Sequence, residues 1–155
     1  MNRAAAIVAL LLAAAAPLND HRPRVSAITA RLFYTNTGSL SANVLDTKGY
    51  FGNWNTIIGG GSVSGPADDV LIVVAVDQDR AAGQQANVTL PLRLSATHKG
   101  NVLGSRTVKD ILIPDKGPAY AGLWLNGVGC AGSIDVVAQI GSSKKKATLD
   151  LDCGE

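Results

Sequence analysis

The chain has 155 residues and near-balanced charge, fourteen basic against twelve acidic. A neutral chain of this size lacks the electrostatic footprint of a nucleic-acid binder. Eleven of its twelve acids are Asp, and it carries seventeen glycines, a bias toward turns and caps over long helices.

Asn2 and Arg3 form a short positive n-region, and Ala4 to Ala16 is an apolar run with small residues at its end. This is the layout of a secretory signal peptide, expected over residues 1–16 with cleavage after Ala15. The run is shorter than the ~20 residues a spanning helix needs, so no membrane span is expected after cleavage. No cysteine near the site suggests a lipoprotein, and no twin arginine is present. The expected destination is the periplasm or the cell exterior. Residues 17–24 read as a tether, and 25–155 as one domain with a single core.

Val25 to Tyr34 is the first expected strand. Asn36 to Ser41 is turn-like, with a brief helix expected over Ser39 to Leu45. Trp54 to Ile58 reads as extended and ends at Gly59-Gly60-Gly61. Val70 to Val76 is an unbroken apolar run rich in β-branched residues. Its length and bounding aspartates predict a strand buried on both faces. Val88 to Ala96 alternates, placing Val88, Leu90, Leu92, Leu94 and Ala96 inward. Pro91 cannot donate to a ladder, so this strand is expected at an edge or with a bulge. Val102 to Ile113 is extended, with an interruption expected at Gly104, and Tyr120 to Leu125 is short and extended.

The final segment specifies its own register. With Gly141 and Ser142 as turn residues, Ile140 faces Ser143, Val136 faces Ala147 and Ile134 faces Leu149 on one side of a hairpin. Cys130 then falls opposite Cys153, and these are the only two cysteines. Asp135, Val137 and Gln139 face Thr148, Lys146 and Lys144 on the other side. A slip of one residue breaks the apolar face, the polar face and the cysteine pair together, because side chains alternate with period two. In an exported chain, two cysteines are most simply one disulfide. Two thiols with no histidine nearby make a poor metal site.

Chemistry-bearing constellations are sparse. The histidines are His21 and His98. His21 borders the signal peptide, so a hydrolase would have to use His98 with an Asp. No Gly-x-Ser-x-Gly elbow occurs, and the glycine-rich run from Gly59 to Gly65 lacks a phosphate-loop ending. Asp68, Asp69, Asp77, Asp79 and Asp115 flank strand ends. Loop carboxylates can hold calcium, but groups at opposite ends of one strand cannot share an ion, and solvated turn aspartates are expected. No cofactor or metal is implied. Lys144, Lys145 and Lys146 are expected to form a solvated edge that discourages sheet aggregation.

Two pentapeptides read Tyr-x-Gly-x-Trp: Tyr50 to Trp54 and Tyr120 to Trp124. The tryptophans are expected to fill the core, where large aromatics dominate buried area. The alternative is an exposed platform of Tyr50, Trp54, Tyr120 and Trp124 that stacks sugar rings.

These readings predict an immunoglobulin-like antiparallel β-sandwich of about eight short strands, with a disulfide-closed C-terminal hairpin. Its inner faces should draw on Val70 to Val76, Leu90, Leu92, Leu94, Ile134, Val136, Leu149 and Leu151. The expected function is a non-catalytic exported binding or interaction module, with another exported protein or a polysaccharide as partner. A carbohydrate-binding module and a His98 hydrolase are the alternatives.

Overall fold

The computed structural model describes residues 22–46, 52–53, 67, 69–80 and 83–153. The expected signal peptide, Tyr50 and Trp54 lie outside the described residues. Among the described residues there are eleven strands: β1 (Arg24–Tyr34), β2 (Ser39–Leu40), β3 (Gly52–Asn53), β4 (Asp69–Asp77), β5 (Ala86–Val88), β6 (Leu92–His98), β7 (Asn101–Val108), β8 (Ile111–Ile113), β9 (Ala119–Leu125), β10 (Gly132–Ile140) and β11 (Ser143–Cys153). Among the described residues the only helical piece is a 3-10 turn, Val44–Asp46.

The strands form two main sheets, ordered β2-β1-β4-β9 and β3-β11-β10-β6-β7, with β5 and β8 as a separate small ladder. All ladders are antiparallel except the short contact of β3 with β11. Alternation supplies the core. Leu32, Val70, Ile72 and Leu125 from the first sheet meet Leu92, Leu94, Ile134 and Leu149 from the second, each no more than 2% exposed. Each such side chain stabilises the fold by roughly 1.5–3 kcal/mol relative to exposure. The product is an all-β sandwich.

The C-terminal hairpin has the expected register. Ile140 pairs with Ser143, Val136 with Ala147 and Ile134 with Leu149. Gly141 has φ +53° and Ser142 is not left-handed, as a type II′ turn requires. The ladder ends at Gly132 and Leu151. Beyond it Cys130 lies in a turn, while β11 continues to Cys153 alongside Asn53.

Side chains and main chain stitch the sandwich along both sides. On one side the Val25 N–H donates to Ser143 Oγ at 3.0 Å, and Lys145 Nζ donates to the Ser26 carbonyl at 2.7 Å. On the other, β7 lies against β9. Gly104 is the reason it can: a Cβ there would stand 2.8 Å from Leu125 Cδ2.

Several expectations are corrected. The segment expected to be helical, Ser39 to Leu45, instead holds β2 and the start of the 3-10 turn. Val88 to Ala96 is not one strand. Val88 ends β5, which pairs with β8, and β6 begins at Leu92 between β10 and β7. Pro91 stands just before β6, where its missing N–H leaves no gap in a ladder. Leu90 falls in the break and is 45% exposed, so it does not belong to the core. The interruption expected at Gly104 is a shift of register within β7, where Ala96 pairs with Gly104 and Thr97 with Val102, and the extended run breaks fully only at Lys109-Asp110, between β7 and β8. β4 is central, but its outward residues Leu71 and Val73 are only half-buried.

Candidate functional site

The two outer sheet faces differ in kind. On the five-stranded sheet, Asp135, Val137 and Gln139 of β10 stand beside Thr148, Lys146 and Lys144 of β11 and beside Thr97, Ser95 and Arg93 of β6. That is the polar face an antiparallel sheet ordinarily turns to water.

The outer face of β4 and β9 is apolar, and β1 adds Phe33 and Ala27 to it beside Thr29 and the exposed Arg31. Counting outward from the buried residues, Phe33, Leu71, Val73, Ala75, Tyr120 and Trp124 share it. The register aligns Arg31, Leu71 and Trp124 in one row, Thr29, Val73 and Gly122 in the next, and Ala27, Ala75 and Tyr120 in the third. Tyr120 is 69% exposed and Trp124 39%. Trp124 is therefore a surface residue, contrary to the expectation that it fills the core. Its position four residues from Tyr120 on an extended strand separates the two by about 13 Å. Between them Gly122 contributes no side chain, and Leu71 and Val73 of β4 lie alongside. A Cβ at Gly122 would lie 3.3 Å from Leu71 Cδ1.

Trp124 is held in place. Its Nε1 donates to Asp69 Oδ2 at 3.1 Å, while Asp69 Oδ1 accepts from the Gly127 N–H at 2.9 Å. Its ring meets Phe33 edge-on, with centroids 5.2 Å apart and planes at 63°. This fixes one edge of the indole and leaves part of its surface open. The aspartates expected as solvated turn residues are partly engaged: Asp69 anchors the indole, and Asp77 and Asp79 face Arg24.

A crevice of about 360 Å³ opens beside β9, between the two sheets. Val76, Leu92, Val108, Ile111, Ala119 and Ala121 line it, and the exposed Asp110, Leu112 and Tyr120 form its rim. Arg80 fixes one wall. Its guanidinium donates to the carbonyls of Pro114 and Gly117 on that wall, and to those of Gln78 and Gln84 on its own loop.

His98 lies elsewhere, at the far end of β6. Its Nδ1 donates to the Ser133 carbonyl at 2.8 Å, and a shallow depression there includes Lys99, Cys130 and Asp135. The imidazole is thus oriented by main chain rather than by a carboxylate. Asp135 Oδ1 instead accepts from Thr148 Oγ1 at 3.0 Å. Among the described residues no cluster of three or more His, Cys, Asp or Glu could hold a metal ion.

The structure brings together Tyr120 and Trp124 of the expected platform, on one face of one strand. Leu71, Val73 and the crevice were not foreseen as part of a site. Their signal was the continuity of Val70 to Val76: an unbroken apolar run places side chains on both faces of its strand. No family model matches the chain, and no curated protein matches it.

Proposed function

We propose that the protein is an exported, non-catalytic binding module whose contact surface is the outer face of β1, β4 and β9. The observation that carries this is the apolar outer face itself, with Tyr120 and Trp124 exposed on it beside Leu71 and Val73. Contiguous apolar surface on a sheet face marks an interaction site. The reading includes an immunoglobulin-like sandwich. Labelling β1, β4, β6, β7, β9, β10 and β11 as A, B, C, C′, E, F and G turns the sheet orders into A-B-E and G-F-C-C′, which supports that topology. It also includes a signal peptide over residues 1–16 and a Cys130–Cys153 disulfide. The disulfide is supported by the hairpin register, which places Cys130 and Cys153 two residues past the Gly132–Leu151 pair.

The test is site-specific photo-crosslinking in the native exporting cell. Benzoylphenylalanine is installed in place of Val73 and, as a control on the polar face, in place of Ser95. Adducts from position 73 and none from position 95 are expected. Equal labelling at both, or none at 73, overturns the proposal.

The second reading is carbohydrate recognition through Tyr120 and Trp124, with Tyr50 and Trp54 of the same platform outside the described residues. Two exposed aromatics on one flat face favour it. In a Trp54→Phe background, a shift in Trp124 emission on adding soluble glucans or chitin oligosaccharides supports stacking. An unchanged spectrum removes it.

A further inference from the structure

We infer that the edge of β9 takes up an extended segment of another protein as an added strand, with alternate side chains of that segment filling the crevice. This rests on the binding-module reading and names the partner class. Among the described residues β9 is the last strand of its sheet. The direction of its open hydrogen-bonding groups follows from one contact. The Gly122 carbonyl accepts from Arg106 Nη1 at 2.5 Å, and Arg106 belongs to β7, on the side away from β4. In an extended strand the N–H and C=O of one residue point the same way, and successive residues alternate. Tyr120, Gly122 and Trp124 therefore direct their main-chain groups to the open edge, while Ala121 and Leu123 address β4.

A second observation points to the same place. Toward Leu123 and Leu125 the edge is closed by Gly104 of β7. Toward Ala119 the two sheets part, and the crevice opens there, lined by Val76, Ala119, Ala121, Leu92 and Val108. A strand laid along Ala119 to Gly122 would turn alternate side chains inward to this apolar volume. The others would lie on the outer face beside Tyr120. An unpaired edge asks for backbone, and an apolar crevice beneath it asks for period-two side chains. A strand supplies both. Arg106 now guards the edge, as charged residues commonly do. An incoming strand would take the Gly122 carbonyl and release the guanidinium, which favours an acidic residue in the segment at that point.

The experiment pans a random peptide phage library on the full chain, with counter-selection against Tyr120→Pro. Proline removes the outward N–H of an edge residue without touching the β4 ladder. Enriched peptides are expected to carry apolar residues at alternate positions and an acidic residue nearby. Their affinity should fall about tenfold in Tyr120→Pro, as loss of an edge hydrogen bond implies, and less in Tyr120→Ala, which keeps the N–H. Ala121→Leu, which fills the crevice, should weaken them too, and circular dichroism checks that each variant folds. Equal loss in Tyr120→Ala and Tyr120→Pro, with Ala121→Leu unaffected, would point to side-chain stacking and overturn the strand. So would a library yielding nothing, or a dimer of the chain abolished by Tyr120→Pro. Crosslinks from position 73 that survive in Tyr120→Pro would leave the binding face standing while the added strand fails.

Discussion

Gly104 shows how a single residue sets the shape of the molecule. Its φ is unremarkable; its use is the missing Cβ, which lets β7 lie against Leu123 and Leu125. Leu125 is 1% exposed, so it has little room to retreat. Gly104→Ala should destabilise by about 1–3 kcal/mol, the usual cost of overpacking. That exceeds the roughly 0.4–1 kcal/mol gained from a stiffer unfolded chain. Urea denaturation followed by far-UV circular dichroism checks this, and an unchanged midpoint would show that the seam yields. From sequence the glycine was visible only as a break in an extended run. That it faces two leucines 19 and 21 residues further on is a property of the sandwich, not of any local pattern.

At the scale of elements, legibility followed the number of independent constraints on each strand. In the terminal hairpin the apolar face, the polar face and the turn residues all demanded one register, and the structure has it. Val88 to Ala96 offered only alternation. The period continued through Leu90 and concealed a transfer from one ladder to another at Pro91. Periodicity reports which side a residue faces within a strand and is silent about where one strand ends and its successor starts. The cysteines belong at this scale. The last paired rung is Gly132 with Leu151, so the proposed Cys130–Cys153 bond would clamp the hairpin just past its ladder. A free-thiol assay on the unfolded, unreduced protein should find none. Replacing both cysteines should cost about 2–5 kcal/mol while the hairpin persists, since its buried rungs need no bond to pair. Two free thiols would remove the clamp.

The whole molecule sets a polar sheet face against an apolar one around a shared core. The polar face was legible, because Lys144, Gln139 and their neighbours fall on the outward side of a known register. Half of the apolar face was legible in the unbroken run from Val70 to Val76. The other half was not, because it depends on β9 pairing with β4 across a long stretch of chain. The crevice beside β9 is a consequence of two sheets splaying apart, and no single segment encodes it.

Arg80 draws together two stretches of chain far apart in sequence, its own surroundings at Gln78 and Gln84 and the segment 114–117, through its donations to the carbonyls of Gln78, Gln84, Pro114 and Gly117. Its side chain is 11% exposed. A trypsin-like protease must draw an arginine into its own specificity pocket, and this one is already spoken for. Lys116, in the second stretch, is exposed. Limited proteolysis of the native protein should therefore be ordered. The bond after Lys116 is cut first, which frees the wall that Arg80 grips, and the bond after Arg80 follows. Intact-mass analysis of a timed digest would show the two nicks in that sequence. A first nick at Arg80 would mean that the two stretches open independently in solution. If the order holds, one arginine decides whether damage to an outer loop stays local or spreads to the strand that lies at the centre of the sheet.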